Sequence, residues 1–259
     1  MDETLKEMAK QTGGVLTEVY KDALSPSVKP IGTMLSYLPR TIKLAFNRWE
    51  KWIINGEESL KLTEELIKKK IEQIPEEKIC EPEPYVAIPA IQQISYCENS
   101  DDLRELYANL LVSSMNVDRK WKVHPAYVEI IKQLNPDEAK IIKSLPPNIS
   151  IIHPLIDVKR NKQNGETDII LNFTNVGMED VEHKSNICSY IDNLERLKLI
   201  RIPPFVVLSN KGIYEELKKD LIIGNIIDET ILGFPGIKYY FKTFNLTNFG
   251  VSFVQTCCI

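Results

Sequence analysis

Residues 185–200, SNICSYIDNLERLKLI, and residues 241–253, FKTFNLTNFGVSF, decide how this chain is read. In the first, Ile187, Tyr190, Ile191, Leu194 and Leu197 recur at spacings of three and four, which predicts a helix over 185–199 with those residues inward. Leu199 to Leu208 then reads as a strand, broken at Pro203-Pro204 as an edge strand would be. A short helix near 212–220 follows. In the second stretch, Ile237 to Leu246 reads as another strand, and Thr247 is placed to cap a closing helix.

A helix followed by a strand, a second strand and a closing helix predicts a winged-helix-like unit. Working outward, residues 151–158 and 168–173 are rich in Ile, Leu, Val and Phe, with the turn dipeptide Asn164-Gly165 between them, and predict a hairpin. Upstream, the pattern changes to helix. Asn135-Pro136-Asp137-Glu138 offers an N-cap, a proline at N1 and a glutamate at N3, the signature of a capping box. His124-Pro125 opens a helix carrying Tyr127, Ile130, Ile131 and Leu134. Asn99 or Ser100 can cap another, with Leu103, Leu106, Tyr107, Leu110, Leu111 and Met115 inward. Residues 75–90 contain Pro75, Pro82, Pro84 and Pro89 and predict an extended linker. Before it lie amphipathic helices, the last carrying Leu60, Leu66, Ile67, Ile71 and Ile74. The expected fold class is α+β and mostly helical. Residues 1–79 form an amphipathic helical region, 80–150 a central helical unit and 151–259 the winged-helix-like α+β unit.

Composition narrows the function classes. The 259 residues are 43% hydrophobic and 26% charged, which suits a globular chain with a sizeable core. A net charge of −4 argues against a broadly basic nucleic-acid binder. No apolar run reaches the roughly 18 residues a lipid-spanning helix needs, and MDETLKEMAK is not a secretory leader. The five cysteines, Cys80, Cys97, Cys188, Cys257 and Cys258, show no disulfide framework, so a reducing cytoplasm is expected. Cys257-Cys258 superficially suggests prenylation, but a C-a-a-X box needs its cysteine where Thr256 stands; two small buried hydrophobes are expected instead.

Three stretches together resemble a bacterial family: ELYANLLVSSM (105–115), HPAYVEIIKQLNPDEA (124–139) and LTNFGVSF (246–253) ahead of a cysteine-bearing end. Their order and spacing are similar to the abortive infection alpha family, over roughly residues 25–258, with the middle stretch the most specific. The resemblance implies phage defence by abortive infection. It brings no catalytic residues, so none is carried over.

The remaining constellations are weighed on their chemistry. Arg119 and His124 have the R-x4-H spacing that resembles HEPN ribonucleases, but a residue before proline is pushed out of helical geometry, so the two should not share a helical face. His124 is expected to cap or pack at a helix start. No His/Cys pair has zinc spacing, and no phosphate-binding, dinucleotide-binding or G-x-S-x-G signature occurs, so neither metal nor cofactor is expected. Nucleic-acid contact would fall to Lys184, Arg196, Lys198 and Arg201, beside Asp192 and Glu195. Residues 28–52 carry a broad apolar stripe with Lys29, Arg40, Lys43, Arg48, Trp49 and Trp52, a composition that suits a membrane surface, a partner or a core. The function expected is a non-enzymatic defence effector or sensor, cytoplasmic or peripheral to the inner membrane. It would act through a protein partner, self-association or a membrane surface, with no small-molecule substrate. The alternatives are a winged-helix nucleic-acid-binding regulator and an R-x4-H ribonuclease.

Overall fold

LYANLLVSS is apolar around most of its circumference, and a helix of that kind belongs in the middle of a structure. In the computed structural model, which describes residues 57–259 except 95, 98, 99, 163, 224 and 225, that helix is the hub of the helical layer. The elements around it are α1 (Glu57–Ile71), α2 (Pro84–Ile94), α3 (Asp101–Ser114, the hub), α4 (Ala126–Lys132) and α5 (Pro136–Ser144). Ser100 caps α3 by accepting from the Leu103 N–H. From Leu106 to Ser114 every α3 residue is buried. Lys143 of α5 pairs with Asp102 and Glu105 of α3 at 3.0 and 2.6 Å, and Lys70 of α1 reaches Glu105 at 3.6 Å.

The second layer is a four-stranded antiparallel sheet in the order β2-β1-β4-β3. Its strands are β1 (His153–Lys162), β2 (Gly165–Phe173), β3 (Ile200–Arg201) and β4 (Ile237–Leu246). Leu155, Ile156, Asp157 and Val158 are consecutive and all buried, as a strand covered on both faces must be. The β1–β2 register slips near Val158, and Asn172 opposite the slip has φ 57°. Its N–H donates to Asp157 Oδ1 at 2.9 Å, and Lys242 on β4 donates to the same carboxylate at 3.0 and 3.1 Å. The bulge is thereby pinned from both neighbouring strands.

Between the strands lie α6 (Ile187–Arg196), α7 (Gly212–Ile223) and the short α8 (Glu229–Leu232); after β4 come α9 (Asn248–Phe253) and a π-helical turn over Val254–Cys258. Ile187, Tyr190, Ile191 and Leu194 of α6 are buried, as the spacing predicted. Tyr214 of α7 stacks on Phe241 with ring centroids 4.4 Å apart, and its hydroxyl donates to the Lys242 carbonyl at 3.0 Å. One core runs from Ile67 to Cys257 through both layers.

Two expectations change. The proline-rich linker is a 3₁₀ turn at Glu76–Lys78 followed by α2, with Pro89 inside the helix. Pro84 occupies the first helical position, which needs no N–H. Burial of Val86, Ala87, Ala90, Ile91 and Ile94 outweighs the lost hydrogen bond at Pro89. The strand expected over 199–208 is confined to Ile200–Arg201, because Pro203 and Pro204 have no N–H to give to a ladder. The helices expected before residue 57, with Lys29, Arg40, Lys43, Arg48, Trp49 and Trp52, lie outside the described residues.

Candidate interaction surface

The N-terminal ends of α4 and α9 meet at His124. Its Nδ1 accepts from the Ala126 N–H at 3.1 Å, so the side chain closes the first turn of α4. Its ring lies 5.9 Å from Tyr127 and 5.7 Å from Phe249. Tyr127 in turn packs on Phe249 and Phe253 at 5.2 and 5.3 Å, and burial raises its phenol to about 12. Arg119 is turned to a different task. Its guanidinium donates to the backbone carbonyls of Gln255 and Ile259. Asn109 donates to the Cys257 carbonyl at 2.9 Å, and Ser113 to the Thr256 carbonyl at 2.9 Å. Carbonyls at a helix C-terminus lack intrahelical partners. Here side chains of α3 and the loop after it supply them, fastening the C-terminus across the hub. The three sequence stretches that carried the family resemblance therefore converge on one packed junction.

The buried carboxylates serve the same end. Asp137 accepts from the Glu182 and His183 N–H groups at 2.9 and 3.0 Å and from the Tyr190 hydroxyl at 3.2 Å. Burial pushes its pKa up, but those donors together with Lys140 bring it below the ordinary aspartate value. Glu138 and Asn135 form the predicted capping box at 2.8 Å in each direction, and burial holds Glu138 above its usual range. Burial also raises the thiols of Cys97 and Cys188 to about 11 and that of Cys258 to about 12. Such thiols stay protonated and are poor nucleophiles near neutrality. His153 stacks on Phe244, and His183 lies far along the chain on the loop before α6. Among the described residues no group of three or more His, Cys, Asp or Glu could hold a metal ion.

The four basic residues singled out on the C-terminal part do not form one face. Lys184 is in the 3₁₀ turn before α6. Arg196, at the end of α6, donates to Asn193 Oδ1 and to Gln133 Oε1. Lys198 follows the helix at φ 60°, and Arg201 on β3 donates to Asn245 Oδ1 at 3.2 Å. The polar side of α6 is itself engaged: Asp192 accepts from Asn172 on β2 at 2.7 Å, and Asn193 donates to Glu138 at 2.9 Å.

Sequence reasoning missed the feature that stands out most from the surface. Phe205 is fully exposed, at 102% of its reference area, and sits at φ 62°. A bulky residue there is a backbone outlier, costing on the order of 1–3 kcal/mol. Pro204 and Val207 beside it are exposed as well. The loop's shoulders are held: the Ile202 N–H donates to Glu195 at 3.3 Å, the Val206 carbonyl accepts from Thr243 at 3.0 Å, and the Leu208 N–H donates to the Tyr214 hydroxyl at 3.0 Å. The available signal was Pro-Pro followed by Phe-Val-Val, an apolar run whose prolines forbid a ladder.

No helix among the described residues is long and apolar enough to cross a membrane. No curated protein matches the sequence. Among solved structures, an uncharacterized protein from the hydrocarbon-degrading marine bacterium Alcanivorax borkumensis SK2 aligns at 15% identity. The alignment covers 50% of this chain and 90% of that one, with a TM-score of 0.35, too low to carry an argument. The family model for abortive infection alpha matches residues 55–257, which include all three convergent stretches. The chain belongs to the abortive infection alpha family.

Proposed function

We propose that the protein is a phage-defence factor that works as a non-enzymatic effector or sensor, through contacts with a protein partner, another copy of itself or a membrane surface. The observation that supports this most is the fate of Arg119 and His124. The pair with nuclease-like spacing is committed to fastening the C-terminus and closing α4. The protein acts in the cytoplasm or at the inner face of the membrane. The contact is assigned to Lys29, Arg40, Lys43, Arg48, Trp49 and Trp52, which lie outside the described residues. The central unit of residues 80–150 and the unit of residues 151–259 share one core.

We read residues 151–259 as winged-helix-like, with α6, β3, β4 and α9 in the order such units use. The antiparallel pairing of Ile200 with Leu246 and of Arg201 with Asn245 supports that reading. A unit of this kind used for contact or packing fits better than one reading nucleic acid. Asp192, Asn193 and Arg196 are hydrogen-bonded to Asn172, Glu138 and Gln133 of the same chain, and Lys184 lies at the opposite end of α6 from Lys198 and Arg201. The test is to follow membrane potential and RNA integrity together in infected cells carrying the protein. Intact RNA with either a collapsed potential or an unchanged one fits a contact effector or sensor. RNA cleavage that depends on the protein contradicts it.

A further inference from the structure

We propose that the loop of residues 202–208 is a docking finger for an anionic phospholipid surface, with Phe205 and Val207 entering the interfacial layer. The inference deepens the contact-based reading and takes from it the idea that the protein acts by binding.

The loop has the two parts such a finger needs. The first is an apolar tip presented to solvent rather than folded back. Phe205 is exposed in full and Val207 by 54%, while the backbone on either side is tied to Glu195, Thr243 and Tyr214. A tip held in place loses little further freedom on binding. Phe is among the apolar residues that interfacial segments bury at the headgroup–acyl boundary.

The second part is charge. From Arg196 to Tyr214 the chain carries Arg196, Lys198, Arg201 and Lys211 and no acidic residue, within a protein of net charge −4. Lys198, Arg201 and Lys211 are exposed. Of the flanking carboxylates, Glu195 is turned to the Ile202 N–H, Glu215 is paired with Lys218 at 2.7 Å, and Glu216 is exposed at the start of α7. Basic residues beside an anionic leaflet each strengthen binding by about fivefold, within a Debye length and subject to salt. That local sign is what selects a lipid surface over an apolar protein groove as the occupant.

The experiment is co-sedimentation of the purified full chain with vesicles of phosphatidylglycerol and phosphatidylethanolamine, or of phosphatidylcholine alone, at low and high salt. The expected result is binding to the anionic vesicles that weakens with salt. Phe205→Ser should reduce the partition coefficient about tenfold. Arg201→Glu with Lys211→Glu should reduce it by more than twentyfold. Phe205→Gly is the folding control. Glycine accepts the positive φ without strain, so the thermal midpoint should hold or rise while binding falls as for Phe205→Ser. Variants that bind like the wild type overturn the proposal and place any lipid contact elsewhere, residues 28–52 included. A wild type that ignores anionic vesicles overturns it too, as does self-association that requires Phe205 without lipid binding. The assay reads lipid binding alone, so its failure leaves the contact-based defence role standing or falling on infected-cell measurements.

Discussion

Leu194 and Asp137 show the two ways single side chains hold the C-terminal part to the helical layer. Leu194 is fully buried on the inward face of α6, so Leu194→Ala should lower stability by about 2–5 kcal/mol, read by chemical denaturation. A change near zero would mean that this face does not pack. Asp137 is held below the ordinary aspartate value, so its contribution to stability is complete above its unfolded pKa and fades as pH falls through the folded one. Glu138 has the opposite sign: raised by burial, it favours the fold below its unfolded pKa and loses that advantage as pH rises. The clean observable is therefore the difference between the wild type and Asp137→Asn. That substitution should cost on the order of 2–3 kcal/mol at neutral pH, because four donors, Lys140 among them, lose a charged acceptor. The gap should narrow below about pH 4. A pH-independent gap in denaturant titrations would place the effect in packing rather than charge.

Among the elements, α9 is the most sterically constrained. Thr247 accepts from the Gly250 N–H at 2.8 Å, and a Cβ added at Gly250 would overlap the Leu199 carbonyl oxygen. The helix and the residue leading into β3 approach through that glycine. Gly250→Ala should therefore destabilise by about 3 kcal/mol or more, measured as a fall in thermal midpoint with protein of equal purity. An unchanged midpoint would show that α9 can move off β3 freely. Local chemistry made several elements legible beforehand. The capping box at Asn135–Glu138 and the Ser100 and Thr247 caps each complete their hydrogen bonds within a few residues. What escaped depended on distant partners. Pro89 sits in a helix because α2 buries its apolar face against α3 and α4, which no local pattern encodes. The strand after Arg201 fails because its prolines cannot pair, and the same prolines leave Phe205 on display. Arg119 and His124 were separable in advance through Pro125. The anchoring of Arg119 to Gln255 and Ile259, more than 130 positions later, was not.

At the scale of the whole molecule, the turn over Val254–Cys258 is fastened to α3 and the loop after it by Asn109, Ser113 and Arg119. Asn109→Ala would leave the Cys257 carbonyl buried without its donor and should cost about 1–3 kcal/mol. Hydrogen exchange should locate the loss at residues 248–258; protection unchanged there would show that the fastening is incidental. A molecule whose candidate catalytic pair is spent on such contacts is expected to defend the cell by binding. The most direct test is a phage challenge with His124→Asn at matched protein abundance, scoring survival and RNA integrity. Asparagine can still accept from the Ala126 N–H but has no imidazole to move a proton. Protection equal to the wild type, with RNA intact in both, is the outcome expected of a contact effector. Abolished protection in the variant, together with RNA cleavage by the wild type alone, would contradict it and make the protein a nuclease.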